Sequence, residues 1–165
     1  MPKTFSDDFK KNHSKILALQ KIPSDVKHFI NSQKLGYVAT VSNDGTPNLS
    51  PKGTIITWDD QLVFADIRSP KTMKNLERNP SLEINIVDPL LRKGFRFKGT
   101  ATLVGDGTTY DSILRHYREN GLKSQIRRLV LIDVMDFSEV ISPLYDLGIT
   151  EAEIKEKWKK YFSGL

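Results

Sequence analysis

The chain has no cysteine and only three histidines among 165 residues, and none of its apolar runs approaches the length of a membrane-spanning helix. Without thiols there is no disulfide framework, no thiol nucleophile and no cysteine-based zinc or iron–sulfur site, which fits an intracellular protein. The histidines, His13, His28 and His116, fall on three separate expected helices without ligand spacing, so they read as surface or packing residues rather than metal ligands. A spanning helix needs about 20 apolar residues, and the opening Met1-Pro-Lys-Thr-Phe-Ser-Asp-Asp8 is too polar for a signal peptide. The expectation is a soluble, cytoplasmic protein with no membrane partner. Two nucleotide signatures are missing as well. No glycine-rich loop ends in Lys-Ser or Lys-Thr, and Gly105-Asp-Gly107 fails as a dinucleotide fingerprint because Tyr110 stands where a third glycine is needed.

What is present is a modest excess of positive charge, formally +5, with acidic residues interleaved among the basic ones. That balance favours anionic partners without choosing between a nucleic acid and a phosphorylated small molecule. A chain of this length fits one domain, residues 1–165, and buries about 70% of its unfolded surface without staples.

The order of elements reads from periodicity and turn chemistry. Phe9, Ile16, Leu17 and Leu19 mark a helix over 6–20, and Ser24-Asp25 opens a second one bearing Val26, Phe29 and Ile30. Leu35 to Ser42 is a strand, Asn43-Asp-Gly-Thr46 a hairpin turn, and Pro47 to Thr57 the returning strand. A turn at Trp58-Asp-Asp-Gln61 leads into a third strand, Leu62 to Ala65. Ser69 and Pro70 start a short helix, as N-cap and first helical residue, that ends at Asn79-Pro80. Strands follow at Leu82 to Ile86 and Gly94 to Val104, then an amphipathic helix from Thr108 to Asn120 closed by Gly121, and a strand from Ile126 to Val134. Thr150-Glu-Ala-Glu153 is a capping box opening a last helix with Ile154, Trp158, Tyr161 and Phe162. Successive hairpins, about six strands in all, argue for a mainly β antiparallel barrel with peripheral helices rather than a doubly wound sheet.

Chemistry concentrates between Asn48 and Asn75. The helix that starts at Ser69 offers unpaired backbone N–H groups and the positive end of its dipole, and Lys71 and Thr72 add a cation and a hydroxyl at the same place. Lys52 can reach over from the neighbouring strand. From these residues alone the feature is either a phosphate-binding corner or a solvated helix end. Lys93-Gly-Phe-Arg-Phe-Lys98 interleaves basic and aromatic residues, but the match to an RNA-stacking strand fails at Arg96 and Lys98, so Phe95 and Phe97 read as a core face. Nucleic acid is not the expected partner. A basic RNA-binding domain using Arg92, Lys93, Arg96 and Lys98 is the alternative from a different class.

Leu-Gly-Tyr-Val-Ala-Thr-Val, Asn-Asp-Gly-Thr-Pro-Asn, Pro-Lys-Gly-Thr and Lys-Thr-x-x-Asn-Leu-x-x-Asn-Pro80, in this order and spacing from about Leu35 to Val104, resemble the pyridoxamine 5'-phosphate oxidase-like family of FMN-binding split barrels. The tail Ile141-Ser-Pro-Leu-Tyr-Asp-Leu-Gly148 resembles its small single-domain members. The resemblance implies a six-stranded antiparallel split β-barrel and a homodimer with FMN in clefts between subunits. It implies that Lys52, Lys71 and Thr72 bind the phosphate, with Ser69 nearby. Asn48, Leu49 and Ser50, with Phe64, Ala65 and Asp66, would line the ring or ribityl chain, and Asn75 matches the motif. Pro70 replaces a basic residue that the vitamin B6 oxidases carry, and their arginine-rich C-terminal substrate motif is missing. The implied activity is an FMN-dependent oxidoreductase on another small substrate or electron partner. A non-enzymatic FMN carrier, or a haem- or deazaflavin-binding barrel, are the alternatives.

Overall fold

Residues 19–164 are described by a computed structural model, and the helix expected over 6–20, with His13, lies almost wholly outside them. Helix α1 (Ser24–Gln33) precedes strands β1 (Gly36–Val41), β2 (Pro47–Lys52), β3 (Ile56–Trp58) and β4 (Gln61–Asp66). Helix α2 (Pro70–Arg78), β5 (Ser81–Asp88), β6 (Lys93–Val104), α3 (Gly107–Glu119), β7 (Arg128–Ile141) and α4 (Glu151–Ser163) complete the order. Among the described residues no helix is long and apolar enough to cross a membrane.

All strands join one antiparallel sheet in the order β2-β1-β5-β6-β7-β4-β3. Among the described residues seven strands are present rather than the expected six, and the sheet is not closed by hydrogen bonds. The cause lies at Gly53-Thr54-Ile55, which divides the expected Pro47 to Thr57 strand into β2 and β3, the two opposite edges of the sheet. Thr54 is held there by both neighbours, its hydroxyl accepting from Ala65 N–H at 3.0 Å and its carbonyl from the Tyr117 hydroxyl at 2.6 Å. A link this short spans at most about 14 Å, so the sheet must curl until its edges nearly meet.

Curling gives the sheet two apolar faces. Inside, Val38, Phe64, Ile84, Phe97 and Ile132 pack with Val26 and Ile30 of α1 and with Met73 and Leu76 of α2. Outside, Val63, Ala65, Leu129 and Leu131 pack under Ile113 and Tyr117 of α3. Burial of each large side chain contributes roughly 1.5–3 kcal/mol, so strands β4 and β7, covered on both faces, carry the densest stabilisation. β7 runs seven residues beyond the expected end at Val134, pairing with β6 as far as Ile141 opposite Lys93, and a bulge at Lys98/Gly99 takes up the change of register. Phe97 is buried as expected, while Arg96 and Lys98 face outward toward Glu83, the lysine at 3.2 Å.

Candidate functional site: an anion corner and a polar lane

The buried polar residues gather where β1, β2 and α2 meet. Period-two alternation puts Thr40 of β1 on the inner face, and the antiparallel register sets Asn48 opposite it. The Thr40 hydroxyl oxygen accepts from Asn48 Nδ2 at 3.1 Å and from Asn75 Nδ2 at 3.0 Å. Asn48 Nδ2 also lies 3.5 Å from the Thr72 hydroxyl oxygen. With its oxygen accepting inside the network, the Thr72 hydroxyl has its proton left to donate.

Thr72 sits in the first turn of α2, whose start differs from the expected one. The Ser69 side chain caps nothing; instead its N–H donates to Asp66 Oδ1 at 3.2 Å. Asp66 is buried at the end of β4 and so fixes the approach to the helix. Pro70 has no N–H and Met73 N–H bonds to the Ser69 carbonyl at 3.0 Å. Two backbone donors, those of Lys71 and Thr72, are thereby left at the helix start without an intrahelical acceptor. The Lys71 side chain is exposed on the rim of a hollow of about 560 Å³ shared with Ser42, Asn43, Lys74, Asn75, Glu77 and Arg78.

From this corner the inner face of β2 continues through Ser50 to Lys52. Lys52 is 5% exposed, its ammonium 5.7 Å from the Phe64 ring centroid and donating to the Ser50 hydroxyl. Burial pushes its pKa below the ordinary lysine value, and the Asp66 carboxylate only partly opposes that shift. Among the described residues no carboxylate lies within ion-pair distance of it. Asn48, Ser50 and Lys52 thus form a polar lane about 13 Å long on one face of a strand.

Asn48, Ser50, Lys52, Asp66, Ser69, Lys71, Thr72 and Asn75 therefore fall along one corner and its lane. Leu49 alternates to the other face of β2, where it is 65% exposed. Phe64 and Ala65 are packed into the inner and outer cores, Ala65 with its N–H already bonded to Thr54. Thr40, the acceptor that joins the network, was not among the expected residues. Its signal was the parity of β1, a hydroxyl on the same face as Val38.

An antiparallel sheet curled around an inner core, with flanking helices and a cluster of buried polar side chains at the helix after its fourth strand, is a mainly β architecture. The family model described as pyridoxamine 5'-phosphate oxidase matches residues 22–139, and the chain belongs to that family. HupZ of Group A Streptococcus is 30% identical, the match covering 73% of this chain and 95% of that one with a TM-score of 0.66. An FMN-binding protein from Syntrophomonas wolfei is 14% identical over 83% of this chain and 95% of its own, with a TM-score of 0.61. HutZ, the haem storage protein of Vibrio cholerae, is 18% identical over 74% of this chain and 95% of its own, with a TM-score of 0.56. The last two likenesses are of fold. A search of curated proteins finds no match.

Proposed function

We propose that the chain binds FMN, with the phosphate at the start of α2, and acts as an FMN-dependent oxidoreductase on a small partner. The observation that carries this reading is the start of α2 itself: two backbone N–H groups without an intrahelical acceptor and the Thr72 hydroxyl held by Asn48, with the Lys71 side chain exposed in the same turn. The donors suit a terminal phosphate. The polar lane beside it suits a hydroxylated chain, and the buried, unpaired cation of Lys52 suits an electron-rich or anionic edge.

When bound, the flavin supplies the redox chemistry by taking up and releasing electrons. The chain's own residues bind and orient. Thr40 locks Asn48 and Asn75 so that Thr72 presents its proton; Asp66 holds the backbone that aims α2; Lys52 provides positive charge where solvent is excluded. No side chain on the lane is needed as a nucleophile.

The reading includes a homodimer. β1 and β2 present Tyr37, Val41 and Leu49 outward, 47%, 38% and 65% exposed. The register places Tyr37 opposite Pro51, Ala39 opposite Leu49 and Val41 opposite Pro47, a continuous apolar face suited to a second copy.

Lys71→Ala is the test. It should weaken FMN by about tenfold or more, as expected for a charge-assisted contact of roughly 1.5–3 kcal/mol, and leave riboflavin, which has no phosphate, nearly unchanged. Equal weakening of both ligands would remove Lys71 from the phosphate site. Folded protein that takes up haem but shows no flavin absorbance after incubation with FMN would overturn the proposal.

A further inference from the structure

Helix α4 is anchored at one end and bare at the other. In its first turn Glu151 pairs with Lys93 of β6, and Ile154 is fully buried. One turn further on Trp158 is half-buried, with the Arg92 guanidinium stacked 3.4 Å from its ring centroid. The next apolar residues, Tyr161 and Phe162, are 57% and 44% exposed. Ile154, Trp158, Tyr161 and Phe162 recur at helical spacing and form one stripe, so the stripe leaves the body of the protein in the last turn. Its rings pack on one another edge-to-face, Tyr161 at 77° to Trp158 and at 76° to Phe162.

The charge around this end has one sign. Lys155, Lys157, Lys159 and Lys160 are exposed, and none is ion-paired among the described residues. Successive residues turn by about 100°, which puts Lys157 on one flank of the stripe and Lys155 and Lys159 on the other. Glu151 is committed to Lys93 and Glu153 to the Thr150 cap, leaving Glu156 as the uncommitted acid of the helix. A hollow of about 520 Å³ lies alongside, lined by Arg92, Lys157, Trp158, Lys160 and Tyr161 without a carboxylate. Arg92 has no ion-pair partner among the described residues, and its Nε finds no hydrogen-bond partner there.

We infer that the end of α4 docks on an anionic lipid surface. Tyr161 and Phe162 enter the headgroup layer, the flanking lysines lie over it, and a headgroup phosphate sits in the hollow beside Arg92. Charge complementarity calls for an acidic partner, and the rings decide which one. Nucleic-acid bases stack on open flat faces. Here one face of the indole is taken by Arg92, and the rings stand edge-on to each other as a compact knob. An aromatic knob between long lysine stems suits the boundary between headgroups and acyl chains. The expectation of no membrane partner came from the lack of a spanning run and of a signal peptide, and a helix lying against one leaflet needs neither. None of these residues belongs to the anion corner or its lane, so the docking stands apart from the flavin reading.

The test is co-sedimentation of the full chain with vesicles of phosphatidylcholine alone and with an equal mixture of phosphatidylcholine and phosphatidylglycerol. The wild type should pellet with the mixed vesicles, stay in solution with the neutral ones and be released as salt is raised. Tyr161→Ser with Phe162→Ser should weaken binding by about tenfold, and Lys157→Glu with Lys160→Glu by at least tenfold, both with unchanged melting temperature and FMN affinity. Equal sedimentation with neutral vesicles, or undiminished binding by either double variant, would overturn the docking. Displacement by glycerol 3-phosphate at constant ionic strength would make the hollow a site for a free phosphate and overturn it too. No sedimentation with the mixed vesicles would also overturn it; labelled oligouridylate or poly-L-glutamate, bound by the wild type and lost in the charge-reversed variant, would then identify a nucleic acid or an acidic protein as the partner instead.

Discussion

Asn75 donates to the Thr40 hydroxyl at 3.0 Å, and this bond ties helix α2 to strand β1 from inside the molecule. Asn75 is only 5% exposed, so its amide depends on the acceptors around it. Thr40→Val keeps the shape and removes the oxygen. It should cost about 1–3 kcal/mol, the usual penalty for a buried donor left unsatisfied, seen as a lower urea midpoint with an unchanged slope. Because Thr40 also orients Asn48, FMN affinity should fall in the same variant.

Lys52 carries a different cost, that of a desolvated cation. Its pKa is lower in the folded state than the free value of 10.5, so between those two values the unfolded chain holds more protons than the folded one. Stability from this group therefore rises with pH through that window, is complete above it, and is lost as pH falls through the folded pKa. Lys52→Met should flatten the rise, compared by chemical denaturation from neutral pH to about pH 11. The same variant should bind FMN more weakly while being no less stable at neutral pH.

Gly94 and Gly53 should respond oppositely to alanine. A Cβ at Gly94 would sit 2.0 Å from the Ile86 carbonyl oxygen and 2.7 Å from Val87 Cα, both backbone atoms of the paired strand β5. Neither can yield without opening the β5–β6 ladder. Gly94→Ala should lower the melting temperature by many degrees. At Gly53 a Cβ would meet no atom within 4 Å, and Gly53→Ala should leave it level or raise it slightly by restricting the unfolded chain.

The outward face of β1 and β2 predicts an assembly phenotype. Leu49→Asp places a charge in the middle of the apolar face without touching the core. Sedimentation should show a dimer for the wild type and a monomer for the variant at micromolar concentration, with the circular dichroism of the fold retained. A wild-type monomer would remove the dimer from the proposed function.

Much of this architecture is written locally. The alternation of Leu82, Ile84 and Ile86 gives β5. The capping box at the start of α4 is present in full: Glu153 N–H donates to the Thr150 hydroxyl at 3.3 Å and the Glu153 carboxylate returns to Thr150 N–H at 2.8 Å. What local pattern cannot carry is where a strand stops for tertiary reasons. Thr54-Ile55-Ile56-Thr57 has the composition of an uninterrupted strand, and only Ala65 and Tyr117, brought there by the rest of the fold, hold Thr54 at the break. The continuation of β7 past Val134 was hidden similarly. Asp136, Ser138 and Glu139 look like a loop, and they are strand because β6 supplies a partner for each. At the site, the residue types at the corner were legible, but Thr40 resembled any other threonine of a strand until Asn48 and Asn75 were found converging on it.

β7 has a consequence for how the chain is made. It pairs with β6 on one side and β4 on the other, and among the described residues no other strand joins those two groups. Gln61 reaches across 72 residues to the Asp133 carboxylate at 2.7 Å. During synthesis, β1, β2, β5 and β6 can assemble as one raft and β3 with β4 as a hairpin, connected through the Gly53–Ile55 link and helix α2 but sharing no strand pairing. They become one sheet only when the segment from Arg128 onward emerges, and a ribosome stalled before it would hold two rafts not yet hydrogen-bonded to each other.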